Sequence, residues 1–301
     1  MDSIDFSSFK TIKLEDKTLF QKHLAVQSRM SCECNFSSLY SWGEKYQYYW
    51  TLFNDRIVNY CKLEGEIQMP FGKFFSAEEL TSISDAFINN GWGNGTIYDV
   101  PAEYLAVNPE VKNYYDIEVS EDHFDYIYST SKLCRLDGKR LRKKRNQIKQ
   151  FKHDYPHFKC VPLEGHLRDE VLELALKHNE ELPSSRFLDE ENVTLERAFK
   201  NFDALDLEGI VLFVEEDQMA GFSVFSRLNP ETYDVLFEKA GRQYRGAAQM
   251  VTRQVACCLH GKCKYINREQ DLGIQGLRRA KRALDPVYMY KRYTLIRKKA
   301  D

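Results

Sequence analysis

The chain has 301 residues, enough for two domains of ordinary size. Apolar residues make up 43% and charged residues 29%, the mix of a globular protein with a core and not of a disordered or fibrous one. The formal net charge of -2 gives no global pull towards nucleic acid, and no apolar run approaches the roughly 20 residues that cross a bilayer.

Met1 to Lys10 holds Asp2 and Asp5 and no apolar stretch, so no secretory leader is expected and the protein is expected in the cytoplasm. In that compartment the eight cysteines read as free thiols. Neither Cys32-x-Cys34 nor Cys257-Cys258 has zinc-site spacing, and no metal is expected.

In chain order, the first half reads as a strand at Phe9 to Leu14, a helix at Lys17 to Gln27 and an aromatic segment from Phe36 to Trp50. Strands follow at Thr51 to Phe53 and Ile57 to Leu63. Ala77 to Asn89 reads as a helix, with Ser76 and Glu79 spaced as a capping box. A strand at Phe124 to Ser129 precedes Ser131 to Asp137 and the segment Lys139 to Lys152, which holds eight Lys or Arg and no acid. This basic helix turns Leu141, Ile148 and Phe151 inward. Lys139, Lys143, Lys144 and Arg145 are its candidate phosphate contacts, against the alternative of a solvated face. Tyr155-Pro156 reads as the domain boundary.

The second half is more regular. A strand at His157 to Leu163 leads into two helices, the first closed by Pro183. Gly209 to Glu215 and Met219 to Arg227 form a hairpin about Glu216-Asp217-Gln218, and Thr232 to Lys239 is a third strand. A turn, a helix from Ala248 to Leu259, a short strand at Lys264 to Arg268, a helix at Gly276 to Leu284 and a strand at Val287 to Ile296 complete the chain.

The turn carries the chemistry. Gln243, Tyr244, Arg245, Gly246, Ala247 and Ala248 fit the pattern Q/R-x-x-G-x-G/A between a strand and a helix. Small residues there let a pyrophosphate approach amide groups at a helix start, where the helix dipole adds to the attraction. Standing at an edge of the core, the turn is expected to tolerate Gly246→Asp in fold while losing the anion. Glu269 and Asp271, two apart, would face the same side of an extended segment and either could serve as a general base. A salt-bridge cluster with Arg268, Arg278 and Arg279 is the structural alternative. Tyr290, with Tyr288 and Tyr293 on the last strand, is a candidate proton donor, although such tyrosines more often pack.

This strand order and turn resemble the GNAT superfamily of N-acyltransferases. Leu136-Asp137-Gly138-Lys139-x-x-x-Lys143-Lys144-Arg145-Asn146 and Asn267 to Arg278 narrow the likeness. Together they resemble the family named after the C-terminal domain of phosphatidylglycerol lysyltransferase, over nearly the whole chain. The resemblance implies an α/β fold of two tandem GNAT-like domains, a degenerate one at 1–155 and one at 156–301 carrying the turn. Arg135-Leu136-Asp137-Gly138 would be the worn counterpart of that turn. The namesake moves an aminoacyl group from aminoacyl-tRNA to a lipid head group. The expected donor is therefore aminoacyl-tRNA or acyl-CoA (coenzyme A), with no tightly bound cofactor. The implied partners are tRNA and a small-molecule or lipid head-group acceptor. The rival expectation is a GNAT-fold binding module without catalysis.

Overall fold

A computed structural model describes residues 3–180 and 186–299; the helix stop expected at Pro183 lies outside the described residues. The chain divides into two units, Met1–Phe124 with Tyr290–Asp301, and Asp125–Met289.

The first unit begins with β1 (Lys10–Thr11), α1 (Lys17–Leu24) and α2 (Phe36–Gly43). Three antiparallel strands follow, β2 (Tyr48–Phe53), β3 (Arg56–Cys61) and β4 (Glu66–Phe71). Next come α3 (Ala77–Asn89), β5 (Ile97–Pro101), α4 (Ala102–Val107) and β6 (Tyr115–Val119). The α3 capping box forms as the sequence predicts: Glu79 N donates to Ser76 Oγ at 3.2 Å and Ser76 N to Glu79 Oε2 at 2.8 Å. Its inner face, with Leu80, Ile83 and Phe87, joins Val58, Met69, Ile97 and Leu295 in one core.

The second unit opens with β7 (Asp125–Ser129), α5 (Thr130–Arg135), α6 (Arg142–Asp154) and β8 (Lys159–Pro162). It continues through α7 (Leu167–Glu180), α8 (Arg186–Lys200), β9 (Glu208–Phe213), β10 (Met219–Asn229) and β11 (Thr232–Ala240). Then come α9 (Ala247–Leu259), β12 (Tyr265–Asn267), α10 (Gln275–Arg282), β13 (Tyr288–Tyr290) and, back in the first sheet, β14 (Arg292–Arg297).

The two seven-stranded sheets have orders β1-β2-β3-β4-β5-β14-β6 and, read from the matching edge, β8-β9-β10-β11-β12-β7-β13. They correspond position by position. In each, the fifth strand runs parallel to the fourth through a connecting helix, and the sixth is antiparallel to the fifth. The duplication read from the sequence is therefore present, with different borders. The boundary at Tyr155-Pro156 moves to Phe124/Asp125, because β7 pairs with β12, and Leu133, Leu141, Ile148 and Phe151 share a core with Met250, Val251 and Val255 of α9. Val287 to Ile296 is not one strand: β14 pairs with β5 and β6.

The first unit's strand–turn–helix is also not at Ser131 to Phe151. It is β4–α3, closed by the parallel strand β5. Arg135 ends α5 and Leu136-Asp137-Gly138 follow it, with Leu136 in the left-handed conformation at φ 56°. Carbonyls, not amides, converge at such an end. No helix among the described residues is long and apolar enough to cross a membrane.

Candidate functional site

The site starts from a strand defect. β11 pairs with β12 only from Thr232 to Asp234. On its other edge, Val224 of β10 lies opposite Phe237 while Phe225 lies opposite Val235, which leaves Leu236 as an extra residue. Such a bulge bends a strand and shifts its facing by one. Val235 lies in the core beneath α9, and three residues later Glu238 again points to α9. Lys239 points the other way, donating to Asn179 Oδ1 and Glu191 Oε2, both at 2.7 Å.

β11 thus parts from β12 with a carboxylate in the gap. Thr252 Oγ1 on α9 donates to Glu238 Oε1 at 2.8 Å, and Arg268 Nη2, just past β12, donates to the same oxygen at 2.6 Å. The other oxygen, Oε2, is buried with no hydrogen-bond partner among the described residues. Leaving a buried carboxylate oxygen unsatisfied is costly, so this atom is suited to receive a donor from a ligand. Lys144 of α6 reaches the same neighbourhood. Its burial, and the charges of Lys143 and Arg268, lower its pKa below the usual lysine value.

The predicted turn leads from β11 into α9. Gly246 is the N-cap at φ 91°, and no side chain caps the helix. Tyr244 N donates to Gly241 O and Ala247 N to Tyr244 O. Tyr244 sets its ring edge against Tyr155, and Ala247 is buried. Gln243, Arg245 and Ala248 are exposed, so the open side of the helix start carries Arg245 and the first amides. The other side is closed. A Cβ on Gly246 would lie 2.9 Å from Gln147 O and 3.0 Å from Phe151 Cβ of α6. The expectation that Gly246 stands at a tolerant edge is corrected by this contact.

The two predicted acids part company. The backbone between them is not extended: Glu269 has φ 53° and Leu272 φ 51°. Asp271 is fully buried and accepts from Tyr126 Oη at 2.6 Å, Arg278 Nη2 at 2.7 Å, Arg278 Nε at 2.8 Å and Gly273 N at 2.9 Å. Burial alone would raise its pKa. The hydrogen bonds from Arg278, Tyr126 and the Gly273 amide outweigh it and pull the carboxyl down to about 2. A carboxylate so occupied is a poor general base. It is the salt-bridge alternative realised. Glu269 is half-buried, and its amide donates to Asn267 Oδ1 at 2.6 Å.

Tyr290 falls in the first unit. Burial, beside Cys34, Asp99 and Glu103, pushes its hydroxyl far above the ordinary value, which makes it a weaker proton donor. Tyr293 packs against the first core. On α6 the four basic candidates also divide. Arg145 is spent on the C-terminus of α5, donating to Leu136 O and, at 2.7 Å, to Gly138 O. Lys144 faces inward. Lys139 and Lys143, with Arg142, are exposed and have no acidic partner among the described residues.

The first unit shows the same strand defect, filled. β4 pairs with β5 at Ile67 and Gln68, and the β3–β4 register slips immediately after Gln68. The carbonyls of Met69, Pro70 and Asp99 accept from the buried Arg29 guanidinium at 3.1, 3.4 and 3.3 Å. Asp99, at φ 60°, further holds Ser31 Oγ at 2.6 Å and Arg292 Nη1 at 3.3 Å. An arginine from the chain itself occupies this gap.

Glu238 was not legible: a strict period of two from Tyr233 and Val235, which face α9, would turn it away from that helix, and the bulge leaves no mark in the sequence. Arg268 was legible only as a neighbour of Glu269, and Thr252 carried no signal.

Comparison with known proteins agrees with this architecture. A solved structure of a conserved protein of unknown function from Bacteroides thetaiotaomicron is 29% identical, with a TM-score of 0.88 over 96% of this chain and 99% of that one. The structure of L-PGS from Bacillus licheniformis is 13% identical with a TM-score of 0.63, over 97% and 94% of the two chains, a likeness of fold. An uncharacterised protein of Mycoplasmoides gallisepticum is 27% identical over 187 residues, 61% of this chain, and the chain spans 59% of that relative's length. The fold is the α/β, tandem GNAT-like one, an acyltransferase-type fold. The family described as "Phosphatidylglycerol lysyltransferase, C-terminal" matches residues 25–296, and to that family this chain belongs.

Proposed function

We propose that the second unit is an acyltransferase site that takes an aminoacyl group from aminoacyl-tRNA and passes it to an amine or hydroxyl acceptor. The observation that carries this reading is the gap between β11 and β12, which holds Glu238 Oε2 without a partner beside the uncapped start of α9. The acceptor attacks the acyl carbonyl, and a bond from its nitrogen or oxygen to carbon forms. Glu238 takes the proton released, directly or through one water. The ester C–O bond to the tRNA ribose then breaks, and the proton passes to the departing ribose oxygen, with Lys144 placed to assist.

Acyl-CoA is the second donor of the same chemistry. The backbone oxygen of Gln147 beside Gly246 disfavours a pyrophosphate on that side of the turn, whereas the unpaired Lys139, Arg142 and Lys143 suit a longer phosphate backbone. The Arg268–Glu238 contact also suits a binding module without catalysis, and one experiment separates the readings. A ligand that binds only the folded protein raises its melting temperature. Aminoacyl-tRNA should therefore stabilise the chain more than CoA thioesters do. Glu238→Gln should keep that shift and lose turnover by about a hundredfold. A retained shift with no turnover in wild type supports the module. No shift with either donor overturns both.

A further inference from the structure

The face of β10 and β11 turned away from α9 carries a pocket of about 150 Å³. Phe222 and Lys239 stand opposite each other across these two strands, so both project to that face, where Lys239 meets α7 and α8. Glu238, the residue before Lys239, projects to the other face. The pocket and the gap beside β12 therefore lie on opposite sides of one strand. Leu174, Lys177 and His178 of α7 line the pocket together with Met219 and Phe222 of β10 and Lys239 of β11. The space holds about ten atoms the size of a water, at roughly 15 Å³ each.

Its polar lining is cationic. Lys239 is only 12% exposed and is kept charged by a network. Its ammonium donates to Asn179 Oδ1 and Glu191 Oε2, and Asn179 Nδ2 donates to the same Glu191 oxygen at 2.9 Å. An ammonium has three N–H donors, so one is left beyond these two bonds. Glu191 is already held by two donors, and no acidic side chain lines the pocket among the described residues. Lys177 is exposed and has no acidic partner among the described residues. Two ammonium groups and an imidazole thus stand beside the apolar side chains of Leu174, Met219 and Phe222.

We propose that this pocket binds a small monocarboxylate with an apolar stem. A carboxylate matches the remaining Lys239 donor and the Lys177 charge through charge-assisted hydrogen bonds. The stem covers Leu174, Met219 and Phe222, as apolar linings with a few placed polar groups do in small-molecule sites. A phosphate is a poorer fit, because it would set oxygens against those side chains with nothing to bond them. The inference does not rest on the transferase reading, since its test measures binding and not turnover.

The test is calorimetric titration of the full chain with 3-phenylpropanoate, its neutral amide and inorganic phosphate. Wild type should bind the acid about tenfold or more tightly than the amide. Lys177→Gln should lower affinity for the acid by about threefold at an unchanged melting temperature. Met219→Ser should lower it by about fivefold through the lost apolar contact. Lys239→Gln should lower it by about tenfold and also lower the melting temperature, because Glu191 loses a donor. Absence of acid binding in wild type overturns the proposal. So does equal binding of acid and amide, or an affinity unchanged in the Lys177→Gln, Met219→Ser double variant. Phosphate that displaces the acid at equal concentration assigns the pocket to phosphates and overturns it equally.

Discussion

Two carboxylates in the second unit show how surroundings decide what a residue can do. Among the described residues Asp271 has four donors, whereas Glu238 keeps one buried oxygen free of any. The pKa of Asp271, drawn down from 3.8 to about 2, corresponds to about 2 kcal/mol of stability. The folded value lies below the unfolded one, so this contribution is complete above about pH 4 and is lost as pH falls towards 2. Asp271→Asn should therefore melt at lower denaturant at neutral pH, by about 2–4 kcal/mol, and should lose less further stability than wild type between pH 4 and 2. Denaturant melts at several pH values check this. If Asp271→Asn kept wild-type stability but lost turnover, the residue would be the base after all.

At the scale of elements, the head of α9 is defined by what packs on it. Gly246 serves both as a left-handed cap and as the point where α6 comes closest. A side chain there meets strain and overlap together, so Gly246→Ala should destabilise by about 3 kcal/mol. Gly276, in the first turn of α10, has nothing within 4 Å of an added Cβ. Gly276→Ala should be neutral or stabilising by up to about 1 kcal/mol. Thermal melts of the two variants make the comparison, and equal stabilities would show that α6 yields at Gly246. The same packing explains why the basic run divides as it does. Helical spacing separates Ile148 and Phe151 from the charged residues, but only the contact with α9 and the end of α5 turns Lys144 inward and ties down Arg145.

For the whole molecule, the discontinuous first unit predicts where the chain can be cut. Residues 125–289 contain β7, α5 and α6 together with the strand and helix they cover. This fragment should unfold cooperatively on its own. Residues 156–301 lack those elements, leave Ile266, Met250 and Val251 uncovered, and carry β14 without β5. That fragment should show no cooperative transition by near-ultraviolet circular dichroism. A cooperative melt from 156–301 and none from 125–289 would restore the linear boundary.

Local chemistry was legible in the sequence where it acts over a few residues. The α3 capping box, the hairpin at Glu216-Asp217-Gln218, and the glycine turn between a strand and an apolar-faced helix all follow from neighbouring residues. The tandem α/β architecture was legible through the family resemblance and the clear strand–helix succession of the second half, whereas the first repeat's strand–turn–helix, expected at Ser131 to Phe151, lies at β4–α3. Tertiary structure alone decided which sheet each closing strand enters, since β7 and β14 are equally good strands wherever they pair. It also decided the site. A bulge at Leu236 costs the sequence no distinctive residue, yet it turns Glu238 towards α9 and opens the gap beside β12. Asp271, two positions from Glu269, is drawn instead into a buried ion pair by Arg278 and Tyr126, the latter 145 residues away in the chain. Burial and long-range partners set the protonation of a carboxylate, and neither can be read from its neighbours in sequence.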